Sequence, residues 1–257
     1  MSWKNRREPT RNLSLATVGG VCALITVAGF AIGGALTASS GVQVLIPETG
    51  KNGLEWIADV EDAGDLFIAG ASVVVFAGLF AVVAFVGLYD ALRHAGPLLI
   101  IAPVAGAAGM VLVTISHATP IAIALQLAPG YTAGNEVTQA SLAVTFDTFA
   151  RFCLVMNYFG DILIWGVTTP LFAIAVLKTS AVPRWIGWLG IVVAVFAGWL
   201  GLLSPVSSVI EGISTIGFLG FFVFMASMGI ALLRRRRRSG GRTRAGGTGL
   251  SAEDGGE

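Results

Sequence analysis

The side chains best able to do chemistry here are His117 and a polar series on one later stretch, Asp147, Arg151, Asn157, Tyr158 and Asp161. An imidazole and a carboxylate held together could exchange a proton as acid and base or grip a small cation or amphiphile. They could also only tie two helices by hydrogen bonds, which is the plainest reading. Asp147 and Arg151 are four apart, a spacing that pairs charges on a helix. At 100° per residue Glu136, Asp147, Arg151, Tyr158, Asp161 and Trp165 fall within about 40° of one line. Phe146, Phe149, Phe152, Val155 and Met156 point elsewhere.

Several other chemistries find no residues to carry them. A Schiff base to retinal wants a buried lysine, yet Lys4, Lys51 and Lys178 stand at the terminus or beside the apolar runs. Bis-histidine haem fails because the only histidines, His94 and His117, would be about 35 Å apart on one helix. Zinc would have one histidine and carboxylates alone, a weak donor set. No glycine-rich phosphate cradle occurs despite 34 glycines. The stretch from Glu61 to Asp65 superficially resembles a prenyl-diphosphate aspartate motif but lacks its second half. Cys22 and Cys153 form no CxxC and read as small apolar residues. No cofactor is expected.

The elements that must position these side chains are membrane helices. The chain has 257 residues, 55% hydrophobic and 12% charged, where a soluble domain is about a quarter charged. A crossing helix needs about 20 apolar residues. Residues 13–36, 66–88, 98–128, 185–203 and 213–233 contain no Lys, Arg, Asp or Glu, and a sixth run, 162–177, is short and reaches spanning length only by extending upstream through Asp161. The first run is too long for a cleaved signal, whose apolar part is about 7 to 15 residues, so it reads as a retained helix.

Charge sorting sets the threading. With six crossings both termini share a face with Arg93, Lys178 and Arg184. That face takes 14 of the 16 basic residues and five of the 15 acids, a net of +9, and leaves −8 opposite. A seventh crossing would put the basic clusters of the two termini on opposite faces, against the positive-inside tendency. The expectation is therefore a multi-pass protein of the cell's inner (cytoplasmic) membrane with both termini cytoplasmic. Trp185 and Trp188 suit the headgroup level at the inner end of the fifth crossing.

In this frame residues 1–12 are a basic cytoplasmic N-terminus, 13–233 the transmembrane domain and 234–257 a disordered basic and glycine-rich tail. Arg234, Arg235, Arg236, Arg237 and Arg238 would sit on anionic lipid headgroups. Nucleic acid is not an expected partner, because no aromatics interleave these arginines. Residues 37–65 form an outer acidic loop, where Glu55, Asp59 and Asp62 would share a helical face. A solvated acidic face is the simpler account of them, with a cation site as the alternative.

At 1.5 Å per residue His117 lies about 28 Å from the inner end of the third crossing and Asp161 about 25 Å from that of the fourth, a similar depth. A helix over 136–178 would be about 64 Å long, so it must project, tilt, or bend near residues 157–161 or at Pro170, with an outer interfacial helix before the fourth crossing as the alternative. Pro120 frees the carbonyl of Ser116 for another partner. Small residues at Gly19, Gly20, Gly29, Gly33, Ala102, Ala105, Gly106 and Gly109 predict close helix contacts on crossings one and three.

Two segments carry a resemblance: Leu88-Tyr89-Asp90-Ala91-Leu92-Arg93, ending the second crossing, and Val182-Pro183-Arg184-Trp185-Ile186-Gly187-Trp188-Leu189-Gly190, opening the fifth. With six helices around them, the chain resembles the bacterial membrane proteins grouped as domain-of-unknown-function 4386. The resemblance implies an integral membrane fold over about residues 13–233 and brings no activity or catalytic residue with it. The fold class expected is thus all-α, a polytopic helix bundle of six crossings. Three functions stay open: a non-enzymatic membrane protein with an outward-facing polar pocket for a small amphiphile or lipid, a small transporter or transporter subunit, and a lipid-modifying enzyme using His117 and Asp161.

Overall fold

The computed structural model describes residues 14–42, 53–179, 181–206 and 208–245. All regular structure among them is helical. In hydrocarbon a helix is the way a lone segment satisfies its own backbone, and the charge-free runs take that form. Six helical stretches are long and apolar enough to cross a membrane: Leu15–Ser39, Asp65–Ala95, Pro97–Tyr131, Glu136–Lys178, Arg184–Leu203 and Gly212–Arg235.

The first crossing is α1 (Leu15–Ser39), capped by the Ser14 hydroxyl, which accepts from the Thr17 amide. A short helix α2 (Gly53–Ala63) precedes the second crossing, α3 (Asp65–Leu92). The chain turns at Gly96, whose φ of 143° favours glycine, and enters the third through a 3-10 turn (Pro97–Ile100) and α4 (Ile101–Gln126). After the small helix α5 (Ala128–Thr132), α6 (Glu136–Asp161) begins under an Asn135 cap on Thr138. It continues without a break through a π-helical segment (Ile162–Thr168) into α7 (Thr169–Lys178). The fifth crossing is α8 (Arg184–Val193) with its own π segment (Ala194–Trp199), followed by a 3-10 turn (Gly201–Val206) and α9 (Ser208–Ala245).

Residues 136–178 are therefore one continuous helical stretch, and a short helix of the first loop, α2, packs on the helix ends. The last helix also runs past Leu233, where the sequence reading began its disordered tail, so its backbone carries the arginine run. Arginine is a good helix former, and extending a formed helix costs little. Arg234 and Arg235 are exposed; residues 1–12 and 246–257 lie outside the described residues.

Sequential crossings pack antiparallel and the ring closes. A Cβ at Gly19 would come within 2.5 Å of Gly87 Cα, and one at Gly33 within 2.8 Å of Gly70 O, so α1 and α3 touch through backbone. Gly106 faces Phe85 on α3, and Gly109 faces Gly160 on α6. Gly20 meets Gly229, and Phe30 meets Phe222 at 5.6 Å, which brings α1 against α9. Gly19, Gly20, Gly33, Gly106 and Gly109 are among the small residues expected at helix contacts, whereas Gly70, Gly87, Gly160 and Gly229 opposite them are not. All six crossings supply the core, with Phe85, Phe172, Phe224, Met225 and Met228 filling it.

A second core caps one end. The α2 residues Trp56, Ile57 and Val60 are buried against Phe67, Ile123, Ala124, Phe146 and Ala150 of the projecting helix ends. Trp56 meets Phe67 edge-on at 5.7 Å and Phe146 at 5.1 Å. Glu55 and Asp62 are exposed on the other face. Arg93, Lys178 and Arg184, all exposed, mark the opposite end of the bundle.

Candidate functional site

The candidate site forms where α4 crosses α6. Gly109 and Gly160 let the two backbones approach, since a Cβ on either would be 2.8 Å from the other's carbonyl oxygen. Two turns along, the side chains of α4 and α6 meet in one polar chain. His117 Nδ1 lies 2.8 Å from Val113 O and 3.0 Å from Ser116 Oγ. Ser116 Oγ is 2.7 Å from Val113 O and 3.2 Å from Asn157 Oδ1. Asn157 Nδ2 donates to Asp161 Oδ2 at 2.7 Å. His117 and Asp161 are thus joined through Ser116 and Asn157, and the shared depth read from the sequence becomes a shared network.

Burial along the chain is uneven. Ser116 is fully enclosed, while His117, Asn157 and Asp161 are half-buried. His117 keeps some accessible surface although its imidazole bonds back onto its own helix. A further contact on the same seam joins the side chains of Cys153 and Thr119.

The other sequence candidates stand apart. Asp147 and Arg151 are exposed on α6 and make no ion pair with each other. The i, i+4 spacing permits that pair, but at an exposed position it returns about 0 to 1 kcal/mol and does not fix two flexible side chains. Tyr158 turns away from the cluster, and its hydroxyl donates to Leu202 O at 3.0 Å, tying α6 to the end of the fifth crossing. Among the described residues no three His, Cys, Asp or Glu side chains group as metal ligands.

Directly after Asp161 the helix widens. The Thr169 amide reaches Ile164 O, five residues back, and the Thr169 hydroxyl bonds the same oxygen at 2.8 Å. Pro170 has no N–H for the carbonyl four residues earlier, that of Gly166. Trp199, from the π segment of the fifth crossing, donates its indole N–H there at 3.1 Å. Gly198 makes room, as a Cβ on it would lie 2.7 Å from the Trp165 backbone. The irregularity of this stretch is thus a π segment, lying between the two places where a bend was expected, residues 157–161 and Pro170.

A family model described as a domain of unknown function, DUF4386, matches residues 17–235. The chain belongs to this family. No curated protein and no solved structure matches it. In this DUF4386 chain the match spans all six crossings and leaves α9 beyond Arg235 outside. The family description assigns no activity, so the roles of its residues rest on geometry.

Two features of that geometry escaped the sequence reading. Proline at 120 had pointed to the Ser116 carbonyl, whereas the interhelical bond is made by the Ser116 hydroxyl. A serine beside the one intramembrane histidine was the available signal. Trp199 gave none beyond its pairing with Pro170, which no spacing rule connects.

Proposed function

We propose that this chain is a multi-pass protein of a bacterial cytoplasmic membrane, with both termini inside and α2 outside, which holds a small amphiphilic molecule beside His117 without converting it. The observation that carries the reading is His117 itself, half-buried and linked through Ser116 and Asn157 to Asp161. An ionisable group at that depth costs several kcal/mol unless it is partnered, and such groups mark ligand paths. The charge sorting supports the orientation. Arg234 to Arg238 rest on anionic headgroups in this frame, at about 1 kcal/mol each near the surface.

Binding is favoured over transport by what lies between Asp161 and the basic end. Thr168 and Thr169 are buried and give their hydroxyls to Ala102 O and Ile164 O. Phe85 and Phe172 stack at 6.2 Å in the core there. Catalysis is disfavoured by Asn157, because an amide between His117 and Asp161 does not relay protons as a second acid or base would.

Reporter fusions at residues 50 and 132 and at the C-terminus test the threading. The first two should be external and the last internal, and an external C-terminus would reject it. Native mass spectrometry of the purified protein tests the site: a co-purified small molecule should be lost from His117→Ala. Retention of the same molecule at wild-type occupancy would place binding elsewhere.

A further inference from the structure

The turn between the fourth and fifth crossings brings two cations to one level. Lys178 ends α7 and Arg184 opens α8. The two helices touch right up to that turn, since a Cβ at Gly187 would lie 2.8 Å from Leu177 Cγ and 3.0 Å from Ala173 O, and one at Gly190 2.8 Å from Ala173 Cβ. Lys178 adjoins Leu177, and Arg184 lies about 4.5 Å of helical rise beyond Gly187. Turning about 100° per residue from these contacts puts Lys178 and Ile174 of α7, and Arg184 and Trp188 of α8, on the same side of the helix pair. All four are exposed. Phe172 and Val193, which the same rotation places on the opposite side, are buried in the bundle.

The exposed side has the outline of an amphiphile. On each helix a cation stands four residues from a large exposed apolar side chain, Lys178 from Ile174 and Arg184 from Trp188, and exposed Val192 continues the strip along α8. Neither cation is neutralised within the protein. Among the described residues the side chains of Lys178 and Arg184 have no carboxylate partner, whereas Arg93 at the same end of the bundle lies 3.7 Å from Asp90. Beside Lys178, the Thr179 hydroxyl is shielded from solvent and has no hydrogen-bond partner, a state in which native proteins leave few polar groups.

We infer that this face of the α7–α8 pair holds one anionic phospholipid, its phosphate bridged by Lys178 and Arg184 and its acyl chains laid along Ile174 and Trp188. Arginine meets a phosphate with a planar fork of donors and lysine with a point charge, so the pair suits an oxyanion. A zwitterionic headgroup brings its own ammonium and leaves one of the two cations uncompensated. A free phosphate offers the same headgroup chemistry but does not cover the apolar strip. The site is separate from the arginine run of α9 and does not depend on the reading of His117.

The test uses the full chain in a nonionic maltoside, with dioctanoyl phosphatidylglycerol, dioctanoyl phosphatidylcholine and glycerol phosphate as probes in calorimetric titration. The phosphatidylglycerol should bind saturably at about one per chain and about tenfold more tightly than the choline lipid, which has the same chains and no net charge. Glycerol phosphate should show no saturable site over the same range. Lys178→Gln and Arg184→Gln should each weaken phosphatidylglycerol about fivefold, the worth of one cation at a lipid surface. The paired control Arg234→Gln with Arg235→Gln, exposed cations of α9, should change it by about twofold or less. Equal affinity for the two lipids overturns the charge assignment, and glycerol phosphate binding as tight as the lipid overturns a lipid as the occupant. A loss in the control equal to that in Lys178→Gln and Arg184→Gln overturns the site, because it shows diffuse attraction to the basic end. The wild-type probe series decides the matter even where a variant folds poorly.

Discussion

Ser116 Oγ and Asn157 Oδ1, 3.2 Å apart, form the bond by which the third crossing reaches the fourth at the level of His117. Forty-one residues separate them in sequence. The contact exists because Gly109 and Gly160 bring α4 and α6 close a few residues away. It also explains how a histidine and a carboxylate coexist in the bundle without touching.

Removing either partner should loosen this seam. Ser116→Ala and Asn157→Leu should each lower stability by about 1 kcal/mol, within the range measured for hydrogen bonds between membrane helices. The double variant should lose less than the sum, because the two singles delete one shared interaction. Thermal unfolding in detergent reads this, and strict additivity would show that the bond does not couple the helices.

The close approach should be intolerant of a methyl group. Gly109→Ala and Gly160→Ala place a Cβ 2.8 Å from the opposing carbonyl oxygen, and overpacking of this kind costs about 1 to 3 kcal/mol. Gly34→Ala is the control, having nothing within 4 Å of its would-be Cβ. It should be neutral or slightly stabilising, since alanine favours a helix over glycine by about 1 kcal/mol.

Trp199 and Pro170 should be coupled. Trp199→Phe removes the donor to Gly166 O, and the loss of this exposed hydrogen bond should cost about 0.5 to 1.5 kcal/mol. Pro170→Ala returns a backbone N–H four residues from that carbonyl. The double variant should therefore recover part of the loss, and a double variant no more stable than additivity predicts would place the importance of Trp199 in packing alone.

The α2 cap should depend on one side chain. Trp56 is 2% exposed and packs on both Phe67 and Phe146. Trp56→Ala should cost about 3 to 5 kcal/mol in that core, the usual range for a buried tryptophan. Limited proteolysis should cut near α2 in the variant while the crossings stay protected. Unchanged protection of α2 would mean that it is held by other contacts.

Membership of the fold, six crossings and the similar depth of His117 and Asp161 were legible from the residues alone. Each depends on properties that add along the chain: apolar length against bilayer thickness, charge against the interface, and a fixed rise per residue. The small-residue contacts on crossings one and three were legible for a related reason, since close approach needs glycine whatever the partner helix is.

Which polar side chains meet was decided by tertiary structure. The stripe through Asp147, Arg151, Tyr158 and Asp161 lies on one line of a helix, yet Asp147 and Arg151 are exposed and Tyr158 reaches Leu202. Asn157, off that line, joins Ser116 and Asp161 instead. A helical wheel gives the angle of a residue but not the rotation of its helix against a neighbour. That rotation is set here by Gly109 on Gly160 and by the π segment at 162–168. The segment in turn faces Gly198 and Trp199 of the next crossing, so its surroundings take shape only when the helices pack.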